Sequence, residues 1–189
     1  MRHGPIVGIL LAAGSATRFG ADKLSVAMSD GRPLAVAALQ ALLTTVDEVV
    51  AVVRPGEGSL ASALRAGGAR VSACPHAHEG MGASLAWGVR AAPLAYGWVI
   101  ALADMPWVRS ETIAAVVAAM RAGASAVAPE CGGRRGHPVG FAAPFYSELA
   151  SLAGDEGAKR VLAQHRPSLI ATADDGILRD VDTPDDLPG

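Results

Sequence analysis

Residues 7–23 read VGILLAAGSATRFGADK. Val7 to Ala13 is a short, near-continuous apolar run ending at Gly14, the pattern of a strand buried on both faces. Gly14 lets the backbone leave that strand sharply and approach a ligand without a Cβ clash. The N–H groups that follow can point at phosphate oxygens. Ser15 and Thr17 add hydroxyl donors. Arg18 suits bidentate phosphate contact, and Lys23 supplies a point charge. The spacing matches neither GxxxxGK[ST] nor GxGxxG, so any phosphate loop here is of another kind. On these residues alone, an ordinary strand-to-helix turn with two solvated cations fits as well.

Outward from this turn, strand and helix patterns alternate. Pro33 to Leu43 reads as a helix with proline at its start. Glu48 to Val53 is a β-branched strand stopped by Arg54-Pro55-Gly56. A helix over Ser59 to Ala66, a weaker strand over Ala69 to Cys74 and a helix over Ser84 to Ala91 follow. Trp98 to Ala103 is a strand that delivers Asp104 at its end. Glu111 to Arg121 is helical, with Ser110 as N-cap. Strands are expected at Ser125–Ala128, Val139–Ala142 and Leu169–Ala173, and short helices at Pro144–Leu152 and Gly157–His165. The alternation implies one α/β domain over residues 1–189, with a mostly parallel sheet covered by helices on both faces. Such sheets bind ligands beyond the C-terminal ends of their strands, where Gly14 and Asp104 both fall.

Composition limits the partners. Of 189 residues, 51% are apolar and 18% charged, the balance of a globular chain. Mean hydropathy is +0.32, yet no run of about 18 apolar residues is free of Gly, Pro or charge, so no membrane span is expected. The short apolar start leads directly into a Gly-rich turn, which argues against a cleaved leader and for a cytoplasmic protein. Net charge is −2, with no basic cluster to hold a nucleic-acid backbone. Cys74 and Cys131 fit neither a zinc spacing nor a disulfide framework, and the five histidines lack metal spacing.

Further sites fall at the same sheet edge. Asp104, in Ala103-Asp104-Met105-Pro106, is placed to hold Mg²⁺, which takes one or two carboxylates plus substrate phosphates; an Asx turn is the plainer alternative. Gly132-Gly133-Arg134-Arg135-Gly136-His137-Pro138 reads as a flexible cationic loop for a phosphorylated ligand, or as a solvated hairpin. Gly80-Met81-Gly82-Ala83-Ser84 could offer N–H groups and the Ser84 hydroxyl at a helix entrance, or could be a helix start packed through glycine. In the acidic tail, Asp174, Asp175, Asp180, Asp185 and Asp186 read as solvated or capping residues, with a helix start at Thr183-Pro184. Asp182 is the one placed to be a second metal ligand.

Together these stretches resemble the MobA-like nucleotidyltransferases. LAAGSATRFGADK is similar to that family's LA(A/G)GxSxRxGxxK, and the chain looks most like the MocA type, the CTP:molybdopterin cytidylyltransferases. GMGASL at 80–85, ADMP at 103–106, GGRRGHPVGF at 132–141, GDEGAK at 154–159 and DVDTPDDL at 180–187 follow in the family's order. The resemblance implies a Rossmann-like αβα sandwich of the nucleotide-diphospho-sugar transferase type. It also implies Mg²⁺-dependent transfer of a nucleoside monophosphate with release of pyrophosphate. Leu11, Ala12, Ala13 and Gly14 would line the base and phosphate site with Ser15 and Ser84, Arg18 and Lys23 would hold the triphosphate, and Asp104 the metal. Arg135 and His137 would face a phosphorylated acceptor. Family usage pairs LAAG with CTP and LAGG with GTP, so Ala13 favours CTP. The acceptor implied is molybdopterin, with a molybdoenzyme as eventual partner. Transfer to a sugar or polyol phosphate, and a non-catalytic chaperone for cofactor insertion, are the alternatives. The chain departs from the family at Cys74-Pro75-His76-Ala77, where Asn-Pro-x-Trp is common, and at the motif serine, which is Ala16 or Thr17. It ends soon after Leu187, so no appended partner-binding segment is expected.

Overall fold

The structure is a computed structural model that describes residues 4–14 and 23–187. Strand β1 (Ile6–Ala12) is buried along its whole length. Alternation within its apolar run divides two cores. Val7, Ile9 and Leu11 enter one hydrophobic cluster, while Ile6, Leu10 and Ala12 enter the other. Gly8 falls on the second face, where a Cβ would press on Val46 and Val49 at 3.2 and 3.3 Å. A continuous apolar stretch is what a strand covered on both sides requires.

Around β1 lie α1 (Leu34–Leu43), β2 (Glu48–Val53), α2 (Gly58–Ala66), β3 (Arg70–Ala73), α3 (Met81–Arg90), β4 (Gly97–Leu102) and α4 (Ser110–Arg121). β5 (Ala126–Cys131), β6 (Arg134–Arg135), β7 (Val139–Ala142), α5 (Tyr146–Ala150), α6 (Gly157–Gln164) and β8 (Ser168–Ala171) complete the sequence. Among the described residues the sheet runs β3-β2-β1-β4-β7-β5-β6, with β8 on β5. β1 pairs parallel with β2 and β4, and β5 parallel with β8. Only β6 and β7 run against their neighbours, so the sheet is mostly parallel. Buried residues of α1, α2 and α4 share the cluster that holds Leu10, and those of α3, α5 and α6 the cluster that holds Ile9. The result is a three-layer αβα sandwich. No described helix is long and apolar enough to cross a membrane.

Some local expectations change. Ser110 is already helical; Arg109, extended, precedes α4 and offers no side-chain cap. The cap comes instead from Asp174, 2% exposed, whose carboxylate accepts from Arg109 N at 2.9 Å and the Thr112 hydroxyl at 2.7 Å. A distant carboxylate thus does what the adjacent serine was expected to do. The Pro144–Leu152 helix is a 3₁₀ turn, Ala143–Phe145, running into α5. The start expected at Thr183-Pro184 is a 3₁₀ turn, Pro184–Asp186. The Gly-Arg stretch is a paired hairpin: Gly132 and Gly133 take φ of 57° and 76° at its turn, and Arg134 and Arg135 form β6.

Candidate active site

The C-terminal ends of β1, β2 and β4 open onto a cleft of about 270 Å³. Leu11, Ala13 and Gly14 line it from β1 and its turn, Arg54 from the end of β2, and Leu102 and Asp104 from β4. The opposite wall is the entrance of α3, with Gly80, Met81 and Ser84, together with His78 and Asp155. Of the residues singled out in the sequence, the structure brings Leu11, Ala13, Gly14, Ser84 and Asp104 to this cleft. Ala12 does not reach it: the β1 alternation turns its methyl into the opposite core. Ser15 and Arg18 lie outside the described residues.

Lys23 begins a 3₁₀ turn, Lys23–Ser25, anchored by buried Leu24. Its ammonium lies 3.0 Å from Asp104 Oδ2 and 3.6 Å from Asp182 Oδ1. The two carboxylates meet because Val181 N donates to Asp104 O at 2.9 Å, drawing the tail against the end of β4. Asp186 fixes the tail from the other side by accepting from Asp182 N and Thr183 N, and these bonds hold its carboxyl below the usual carboxylate range. Asp104 and Asp182 therefore face one cation from two chain segments. Two oxygen donors with room for substrate oxygens suit Mg²⁺ or Mn²⁺. No group of three or more His, Cys, Asp or Glu placed to hold a metal ion occurs among the described residues. The remaining ligands of such an ion would come from substrate and water.

The α3 wall is made differently. Gly154 O enters the first turn of α3 and accepts from Gly82 N at 2.7 Å. A Cβ on Gly82 would lie 2.7 Å from Ala153 O and 2.8 Å from Gly154 O. Gly80, at φ +125°, abuts Gly154 and Asp155 Oδ1. This contact explains why α3 begins at Met81 and not at Ser84: a carbonyl from a distant loop satisfies its first turn.

Arg135 is exposed on β6 and lines no part of the cleft. His137 lies beside a small apolar cavity with Ala38, Leu42 and Met105. Burial pushes its imidazole below the ordinary 6.5, the Asp104 carboxylate pulls it back up, and Arg135 adds to the lowering. Sequence reasoning named Met81 only within the Gly80–Ser84 stretch, and did not name Arg54, His78, Leu102 and Asp155 as site residues. Arg54 was legible in principle, since it follows β2 as Gly14 follows β1; its Nε donates to Ala13 O at 2.8 Å. Asp155 was signalled only by its place in GDEGAK.

The family description "MobA-like NTP transferase domain" matches residues 8–169. Purine catabolism protein PucB of Bacillus subtilis (strain 168) is 30% identical over 208 residues, covering 98% of this chain and 96% of its own. Nicotine blue oxidoreductase of Paenarthrobacter nicotinovorans is 30% identical over 189 residues, covering 94% and 92%. The crystal structure of Rv0371c from Mycobacterium tuberculosis H37Rv superposes with a TM-score of 0.84 at 27% identity, covering 98% of this chain and 96% of that one. A second structure of Rv0371c, described as a complex with manganese, superposes with a TM-score of 0.74 at 25% identity, covering 96% and 95%.

Proposed function

The chain belongs to the MobA-like NTP transferase family, and from that membership we propose that it moves CMP from CTP onto the phosphate of molybdopterin or its molybdenum-loaded form, in the cytoplasm, releasing pyrophosphate. The observation that carries the reading is the Lys23–Asp104–Asp182 cluster at the rim of a Gly14-lined cleft. A nucleotidyltransferase needs cationic groups for a triphosphate and carboxylates for its counter-ion at one sheet edge, and these residues supply both.

Leu11, Ala13, Gly14 and Ser84 hold base and ribose, Ala12 contributes through its backbone, and Ser15, Arg18 and Lys23 hold the triphosphate. Ala13 is the residue on which the preference for CTP over GTP rests. Asp104 and Asp182 would hold Mg²⁺, which would supply charge stabilisation at the phosphates. That Rv0371c is described with manganese supports a divalent cation of this class. An oxygen of the acceptor phosphate attacks the α-phosphorus. The new P–O bond forms as the bond to the β-phosphate oxygen breaks, and its electrons leave with pyrophosphate. The attacking oxygen is already anionic near neutral pH, so the chain contributes positioning and charge, not a strong base. Arg135 and His137 face the acceptor, which enters from the β6–β7 side. A molybdoenzyme receives the product.

A pyrophosphate-release screen of the four NTPs with Mg²⁺, against molybdopterin and sugar-phosphate acceptors, tests this. Release with CTP and molybdopterin is expected. Release only with a sugar or polyol phosphate moves the acceptor, equal rates with all NTPs remove the weight on Ala13, and binding without turnover replaces transfer by a chaperone role.

A further inference from the structure

The same cluster carries information about the order of binding. Lys23 is a single side chain between two carboxylates, 3.0 Å from Asp104 Oδ2 and 3.6 Å from Asp182 Oδ1. A dication held by these two carboxylates would compete with this ammonium for the same two oxygens. The Lys23 side chain is only 12% exposed, so its ammonium rests beside these oxygens largely out of solvent. A dication arriving alone therefore meets a site that is filled and half-neutralised.

We infer that Lys23 closes the Asp104–Asp182 pair to divalent cations until a polyphosphate draws its ammonium away, so that the metal enters with the nucleotide and not before it. The inference rests on the reading of Asp104 and Asp182 as the metal ligands. It adds to Lys23 a second task, opposed to its first: in the nucleotide-free protein it competes with the metal, and in the complex it joins the metal around the phosphates. Exclusion of this kind is reciprocal, since whatever removes the ammonium raises metal affinity and whatever binds metal expels the ammonium. One ammonium offsets only one of the two carboxylate charges, so the departure of Lys23 doubles the negative charge of the pair, which attracts the dication at that moment.

Nucleotide-free Mn²⁺ titration of the full chain, followed by the EPR signal of the free ion, tests this. Lys23→Met and Lys23→Gln should each bind Mn²⁺ about tenfold or more tightly than the wild type, within the usual range for coupled sites. Lys23→Arg, which restores the charge, should stay near wild type. Adding Asp104→Asn to Lys23→Met should abolish the gain. Mn²⁺ should also raise the melting temperature of Lys23→Met more than that of the wild type, which also confirms that the variant is folded. Unchanged Mn²⁺ affinity in both neutral variants overturns the inference, as does a gain that survives Asp104→Asn. Because no nucleotide is present, the result is independent of turnover. A chain that bound Mn²⁺ as expected but released pyrophosphate with no NTP would sink the transferase reading alone.

Discussion

At one side of the cleft Lys23, Asp104 and Asp182 meet through their charged ends. On the other, Gly80 and Gly82 meet Gly154 and Asp155 with almost no side chain between them. The first wall depends on what its side chains carry, and the second on what its glycines lack. Changes to the two should therefore fail in different ways. The charged wall is partly open to water, so its ion pairs contribute little to stability, while they lie where charge develops in a transfer reaction. The backbone wall carries the Asp155 carboxylate, but what shapes it is a missing Cβ, which is a packing requirement. The largest effect expected is on the charged wall: Asp104→Ala should lower turnover by about 10²–10³, the usual loss when one preorganised electrostatic group is removed. Its melting temperature should stay near the wild-type value. Steady-state kinetics beside thermal unfolding check this, and a variant that retains full turnover would break the comparison at its strongest point.

The α3 wall should respond in the opposite way. Gly82→Ala brings a methyl to 2.7 Å from a backbone carbonyl that cannot rotate away. It should cost roughly 2–3 kcal/mol of stability through the shift of α3 from the 153–155 loop. Activity should fall in step with the folded fraction and with the displacement of Ser84. Chemical denaturation measures the first and initial rates at low temperature the second. A stable Gly82→Ala with normal activity would mean that the loop adjusts freely and that this wall is not architectural.

Between these extremes is Arg54. It lines the cleft and steadies the β1 turn through its bond to Ala13 O. Arg54→Met keeps the stem and removes the donor. KM for the nucleotide should rise about fivefold with kcat little changed, the pattern of lost ground-state binding. A selective fall in kcat would instead move Arg54 into the charged wall.

How much of this was legible follows the same division. The sheet, its two-sided burial and the position of Asp104 at the end of β4 follow from apolar runs and their breaks, which are local and periodic. Lys23 and Asp104 were legible as charged residues near a turn and a strand end. Their contact with Asp182 depends on Val181 donating to Asp104 O, a long-range bond with no local signature. Helix caps follow the same rule: Ser110 reads locally as a cap for α4, yet the buried carboxylate of distant Asp174 supplies it, and Gly154 O serves the first turn of α3. Arg54 carried no motif of its own and became visible only once the strands were ordered, and GDEGAK marked Asp155 without showing that it lines the cleft. Glycines at 80 and 82 could be seen, but not that backbone carbonyls fill the space their side chains would need.

The smallest effect expected tests how far the charged wall reaches behind the cleft. His137 is held below its ordinary 6.5 chiefly by burial, while Asp104 opposes the shift. The unfolded chain therefore takes up this proton first as pH falls. Above the ordinary value neither state binds it, and the group leaves stability unchanged. Below 6.5, and down to the folded value, the unfolded state binds more protons, and stability declines. Urea unfolding at about pH 7.5 and about pH 5.5 should show this loss in the wild type, and His137→Asn should reduce it. Asp104→Asn removes the one group that favours the imidazolium, so it should lower the folded value further and carry the acid loss to lower pH. That variant ties the two measurements together. If acid sensitivity were the same with and without the Asp104 charge, His137 would belong to the apolar cavity beneath the sheet edge and not to the electrostatic surroundings of the site.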